Sequence, residues 1–159
     1  MIDKKLFEQM IDKPLFVTMA PSTLEKILER AKMINFKEGQ IILKEGEPGD
    51  CFYVIEHGSV CIQIEKKGIP PEENITTLYG DETLNHQYEG DFFGEMALLD
   101  FSPRSATVIT NEDTSLLKIN GSMLFEIFKD NHKDHIIFLT NMARILSRRL
   151  RRTLKKLRN

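Results

Sequence analysis

The chain has 159 residues, 41% of them hydrophobic and 29% charged, which suits one soluble globular domain able to bury a core of its own. No apolar run approaches the ~18 residues of a membrane span. Residues 1–16 mix charges into their apolar positions and lack the apolar centre of a secretory signal, so a cytoplasmic protein is expected.

Residues 3–11 and 21–33 read as helices, because Leu6 and Met10, then Leu24, Ile27, Leu28 and Ala31, recur at helical spacing. Pro14 separates the two, and Pro21-Ser22-Thr23 with Glu25 supplies start signals for the second. From Phe36 the pattern changes to short strands at 41–44, 51–56, 59–65, 75–78, 84–88, 105–110 and 115–119. Turn residues punctuate them at Gly39, Gly46-Glu47-Pro48-Gly49, His57-Gly58, 68–71 and Gly90. Evenly spaced short strands of this kind predict an antiparallel sandwich or roll. A two-residue hairpin turn at His57-Gly58 would pair Glu56 with Ser59 and send Cys51 and Cys61 to opposite faces, where they cannot be bridged. Both thiols are expected to be inert and half-buried. Residues 66–89 are longer and more polar than a strand connection needs and read as surface decoration.

From Ser122 the pattern is helical again, with a short helix over 123–128 and a long one from about Lys133. Ile136, Leu139, Ala143, Leu146, Leu150, Thr153 and Leu157 alternate by three and four, the spacing of a coiled-coil seam. The first two turns are expected to lie on the chain's own roll. Beyond Leu146 the seam needs another chain, so a parallel homodimer through residues 143–157 is expected. Charge is uneven along the sequence. Arg144, Arg148, Arg149, Arg151, Arg152, Lys155, Lys156 and Arg158 form a tail of eight bases without an acid. The net charge is −2, so residues 1–143 carry −10, from 24 acids against the remaining 14 bases. A solvated face, favoured at a helix C-terminus by the helix dipole, accounts for such a tail.

The richest segment is 90–108, GDFFGEMALLDFSPRSATV. It sets one carboxylate, Glu95, and one guanidinium, Arg104, in a short turn-rich stretch, with Gly94 before the acid and a β-run behind the base. An arginine fork takes two phosphate oxygens at once, and a carboxylate accepts hydrogen bonds from sugar hydroxyls. The amides around Gly94 to Ala97 can face an anion if a glycine and a short helical turn expose them. Phe92, Phe93, Met96, Leu98 and Leu99 would be core on any fold, and a lone Glu or Arg is ordinarily solvated. The order of apolar residues around this charged pair favours a ligand site.

Phe93-Gly94-Glu95-Met96-Ala97-Leu98 followed by Pro103-Arg104-Ser105-Ala106-Thr107 resembles the phosphate-binding cassette of cyclic-nucleotide-binding domains, the catabolite activator and protein kinase A regulatory subunit type. Residues 45–62, with Gly46, Gly49 and Gly58, resemble the first half of the same roll. The resemblance implies a mostly β fold with flanking α: an antiparallel, jelly-roll-like β-roll with N-terminal helices and a C-terminal helix pair. The corresponding division is 1–33 helical, 34–120 roll and 121–159 helices. It implies that Arg104 clamps the exocyclic phosphate with help from the Ala97 and Ser105 amides, that Glu95 and the Gly94 amide take the ribose 2′-OH, and that the C-terminal helix closes over the base. Met96 belongs to the same ligand-binding set. Cyclic AMP is the preferred ligand and cyclic GMP the alternative, since Ser105 lies between the residue types that go with each.

The expected role is a stand-alone regulatory sensor in signal transduction, not an enzyme. The alternatives are an interaction protein that keeps the fold without binding nucleotide, or the sensor half of a larger transcription regulator. The sequence stops at Asn159, where catabolite activators continue into a helix-turn-helix, so sequence-specific DNA binding is not expected. His132 and His135 share a helix face without a third ligand, and His57 and His86 sit in a turn and a loop. No metal site, no catalytic constellation and no cofactor beyond the nucleotide is expected.

Overall fold

The computed structural model describes residues 2–64, 68, 76, 77 and 91–158. The strand expected at 84–88 and most of the polar stretch 66–89 lie outside the described residues. Contacts group the chain into two units, one of residues 32–121 and one of the segments on either side of it.

Among the described residues the central unit is a β-roll of eight strands, β1 (Lys32–Phe36), β2 (Ile41–Leu43), β3 (Cys51–His57), β4 (Val60–Ile64), β5 (Thr76–Thr77), β6 (Phe92–Phe93), β7 (Thr107–Thr110) and β8 (Thr114–Asn120), with helix α3 (Glu95–Asp100) after β6. They form two antiparallel sheets of order β1-β8-β3-β6 and β2-β7-β4-β5. Residues Cys51 to Ile55 are buried on both faces of β3. Alternation along β3 points Cys51, Tyr53 and Ile55 into a cluster with Leu43 and Val108 of the other sheet and with Phe93 and Leu116. Tyr53 pairs with Phe93 in register, and their rings stack with centroids 5.4 Å apart.

The hairpin expected at His57-Gly58 does not form. β3 pairs with β8 and β6, and β4 pairs with β7 and β5, so the turn carries the chain from one sheet to the other. Gly58 makes this corner at φ +89°, where a Cβ would come within 2.5 Å of Thr114 Oγ1. That hydroxyl donates to the Ser59 carbonyl at 3.2 Å. Cys51 and Cys61 consequently lie in different sheets as free thiols, Cys51 buried and Cys61 partly exposed.

The other unit holds α1 (Lys4–Met10), α2 (Pro21–Arg30), α4 (Gly121–Phe128) and α5 (His132–Arg158). Asp3 caps α1, accepting from the Lys5 amide at 2.9 Å, and Pro21 opens α2 where its missing N–H costs nothing. The helix expected to run to residue 33 stops at Arg30. Ala31 is extended, and Lys32–Phe36 instead pair with Thr114–Lys118 as β1. A long-range ladder that satisfies every second amide overrides the local helical spacing here.

Helix α5 buries Asp134, Phe138, Asn141, Met142 and Ile145. This is not the face expected from the heptad pattern. Ile136 is 65% exposed, Leu139 41%, Leu150 60% and Leu157 79%, so most of the predicted seam faces solvent, first turns included, while Leu146 and Thr153 are half-buried. The helix meets its own unit through polar residues that the apolar pattern does not reveal. Asn141 Nδ2 donates to the Leu15 and Val17 carbonyls, at 3.2 and 2.8 Å. Asp134 accepts from the Thr23 hydroxyl, from Asn131 Nδ2 at 2.9 Å and from the Ala20 amide at 3.3 Å. His135 lies partly buried with its ring stacked on Phe128, centroids 4.9 Å apart.

Burial alone would raise the Asp134 pKa, but the donors from Thr23, Ala20 and Asn131, with the charge of Lys133, outweigh it and hold the carboxyl below its usual value. The folded state therefore binds fewer protons than the unfolded chain, and the stability this group supplies above the carboxylate range is lost as pH falls through its lowered pKa. Asp134→Asn should cost about 1–3 kcal/mol near neutral pH, since charge-assisted bonds become neutral ones. Denaturant titrations between pH 7 and pH 3 should show the difference between wild type and variant shrinking as the medium becomes acid. A constant difference would remove the carboxylate from the account.

Candidate ligand site

β6 delivers the chain to Gly94, whose φ of +83° turns it into α3 without a side-chain cap. The first amides of α3, from Glu95 to Ala97, have no intrahelical acceptor and carry the positive end of the helix dipole. Glu95 opens the helix and is 5% exposed, Ala97 is buried, and Met96 is exposed. Phe101 closes α3 in the left-handed region at φ +58°, a position usual for glycine.

Arg104 follows in the extended stretch before β7. Its backbone is clamped to the 44–50 turn, with its amide donating to the Glu47 carbonyl at 2.8 Å and its carbonyl accepting from the Gly46 amide at 2.9 Å. The side chain is 6% exposed. Nη1 donates to the Gly94 carbonyl at 2.6 Å and Nη2 to Cys51 Sγ at 3.4 Å. The guanidinium lies against two glycines. A Cβ at Gly49 would overlap its Cζ and Nε, and one at Gly94 would sit 2.9 Å from Nη1. An arginine held this way keeps its fixed charge in a buried position while its hydrogen bonds go to neutral acceptors.

Of the residues singled out from sequence, Gly94 and Arg104 touch directly, and the exposed Ser105 hydroxyl lies 3.4 Å from Met96 Sδ. Glu95 and Ala97 share the turn that Gly94 begins. Ser105 precedes β7 rather than opening it. Sequence reasoning missed Cys51 and Gly49 as the floor and side of the arginine site. The sequence marks Cys51 as inert and Gly49 as a turn residue, and no local pattern joins them to Arg104, which lies 53 residues beyond Cys51. Tyr53, next on the same face of β3, is pushed up to about 12, by burial first and by Cys51 and Asp50 beside it, against the opposing charge of Arg104. Its phenol is thus neutral across the physiological range. Among the described residues no group of three His, Cys, Asp or Glu side chains could hold a metal ion, and no helix is long and apolar enough to cross a membrane.

The family model for the cyclic nucleotide-binding domain matches residues 33–131, a span that takes in the roll, the glycine turn and the arginine site together. The cAMP-dependent protein kinase regulatory subunit of Colletotrichum orbiculare is 30% identical over 120 residues, which are 75% of this chain and 27% of that protein. The crystal structure of the Thermus thermophilus catabolite activator protein superposes with a TM-score of 0.71 at 28% identity, covering 91% of this chain and 61% of that one. A cyclic nucleotide-binding domain from Methylobacillus flagellatus shares the fold with a TM-score of 0.79 at 21% identity, over 96% of this chain and 82% of that one. The chain spans about a quarter of the length of the kinase regulatory subunits it resembles. With the arginine, its two glycines and the first turn of α3 in the matched region, the chain belongs to the cyclic nucleotide-binding domain family.

Proposed function

We propose that this protein binds a cyclic nucleoside monophosphate, cyclic AMP ahead of cyclic GMP, between the first turn of α3 and Arg104, and that it acts as a stand-alone regulatory sensor in the cytoplasm rather than as an enzyme. The observation that carries the reading is the buried Arg104 guanidinium, held by neutral acceptors beside the N-terminus of α3, which no side chain caps. A cyclic phosphate would take the fork of Arg104 and the Ala97 and Ser105 amides. Glu95 and the Gly94 amide would receive the ribose 2′-OH, and Met96 would line the opening. The preference for cyclic AMP is supported by the kinase regulatory subunits, whose names carry that ligand. Two unbridged thiols suit a reducing compartment.

A second copy of the chain is the proposed partner. Ile136, Leu139, Ala143, Leu150 and Leu157 form an exposed stripe with heptad spacing, separate from the face that α5 buries. Thr140, Ser147 and Leu154 would flank it on one side and Arg149 and Lys156 on the other, so like-charge repulsion opposes a parallel pair and the dimer should strengthen at higher salt as that repulsion is screened.

Calorimetric titration with cyclic AMP and cyclic GMP tests the central reading directly. Arg104→Leu should remove detectable binding while the protein stays folded, a loss of about 2–5 kcal/mol in a desolvated charged contact. Gly49→Ala should weaken binding in the same direction and also lower the melting temperature, because the added methyl overlaps Cζ and Nε and displaces the buried guanidinium from its acceptors. Wild-type affinity in either folded variant would take the arginine out of the site.

Glu95→Gln should weaken cyclic AMP by about 1–2 kcal/mol and leave 2′-deoxy cyclic AMP almost unaffected, since only the ribose hydroxyl would feel the lost charge. Equal losses for both ligands would overturn the ribose assignment. For the partner, light scattering should give a dimer mass for the wild-type chain at tens of micromolar. Leu139→Lys with Leu150→Lys, both exposed positions, should give a folded monomer. A monomeric wild type in physiological salt would sink the dimer.

A further inference from the structure

Helix α5 carries a third face that neither its packing nor a seam employs. Arg144, Arg148, Arg151, Lys155 and Arg158 recur at intervals of four, three, four and three residues, so they fall on one strip of the helix, and all five are exposed. The strip is about 21 Å long at 1.5 Å per residue and lies roughly a third of a turn from the apolar stripe of Leu150 and Leu157. From Thr140 onward the sequence holds no Asp or Glu, so no carboxylate one turn away on the helix neutralises any of the five. Four of the five are arginines, whose planar forks suit phosphate oxygens rather than a diffuse counterion cloud.

We infer that this strip is a sequence-independent binding surface for a nucleic-acid phosphate backbone. Neighbouring side chains one turn apart stand ~5–6 Å from each other, which allows a row of cations to follow successive phosphates along a strand. An anionic bilayer is the competing partner for a basic helix, but stable seating there uses inserted apolar side chains beside the charge. The leucines that would insert are those of the stripe a second copy would cover, so the preference for nucleic acid over lipid rests on the dimer proposed above. In a parallel pair the two basic strips point to opposite sides, an arrangement that serves two separate strands and cannot present both strips to one flat surface. Residues 1–143 carry a net −10, so the net positive charge of the chain is confined to the tail that holds this strip.

Fluorescence anisotropy of a labelled random-sequence duplex with the full chain tests the inference. Five phosphate contacts predict a slope of about −4.5 for log affinity against log salt, so raising salt from 100 to 200 mM should weaken binding about 20-fold. Arg148→Gln, Arg151→Gln and Lys155→Gln together should lower affinity at least about tenfold and reduce the slope to about −2, with cyclic AMP affinity and melting temperature unchanged. Unrelated duplex sequences should bind alike. Binding that ignores the triple substitution, or that varies little with salt, would overturn the assignment. So would tighter capture by phosphatidylserine vesicles than by duplex, which would make the tail a membrane surface. The Leu139→Lys, Leu150→Lys variant separates the two readings: a monomer that still binds duplex with the same slope leaves the strip standing without the dimer.

Discussion

The Arg104 guanidinium lies flat against Gly49 with one nitrogen on the Gly94 carbonyl and another on Cys51, and this packing decides how the rest of the roll is arranged around the site. It joins three stretches far apart in sequence: the glycine turn before β3, the first strand residue of β3, and the turn that opens α3. Each contributes something an arginine needs in order to be buried. The two glycines supply a surface without side chains, the carbonyl and the thiol supply acceptors, and the backbone clamp through Gly46 and Glu47 fixes where the side chain begins. A long cationic side chain costs conformational entropy to order, and here the contacts of the roll meet that cost. The same contacts explain why the turn at 46–49 is so rich in glycine: Gly46 needs φ of +86°, and Gly49 needs the space.

The helix unit follows a different logic. One helix, α5, is asked to satisfy three environments at once. Its buried face carries Asp134 and Asn141 among Phe138, Met142 and Ile145, and those two polar residues take up amides and carbonyls of the 15–20 segment that no helix or strand satisfies. Its apolar stripe stays exposed, and its basic strip stays exposed beside it. Helical periodicity places each group on its own sector because the residues recur at compatible spacings with different phases. A helix with one apolar face reports a core. Helix α5 buries a mixed polar and apolar face and leaves an apolar stripe in solvent.

The parts of the site visible in the sequence were those whose chemistry is local. Gly94 before Glu95 and a short helical turn can be read from adjacent residues, and so can the placement of Arg104 just before a β-run. The roll was visible through its turn residues. The errors share one cause. At His57-Gly58 the residues specify a tight turn with a positive φ, but the partner of each flanking strand is chosen by β7 and β8, some fifty residues onward. At Lys32 the local pattern continues a helix, and the pairing with β8 replaces it. Along α5 the heptad of leucines is conspicuous, yet the buried face is the one that carries Phe138, Met142 and Ile145 together with Asp134, which accepts from Thr23, and Asn141, which donates to Val17.

The sequence by itself determined the elements that depend on near neighbours: the turns, the helical spacing of α2 and α5, the acidic body and basic tail, and the short segment holding Glu95 and Arg104. Tertiary structure alone decided which strands pair, which side of α5 is covered, and that Cys51 and Gly49 form the bed of the arginine. The physical reason is the range of the interactions concerned. Propensity, φ preference and charge act over a few residues and are written in composition and order. Strand pairing, burial of a polar side chain and the close approach of a guanidinium to a glycine depend on what the fold brings within a few ångströms, across separations of 53 residues for Cys51 and Arg104 and 126 for Leu15 and Asn141.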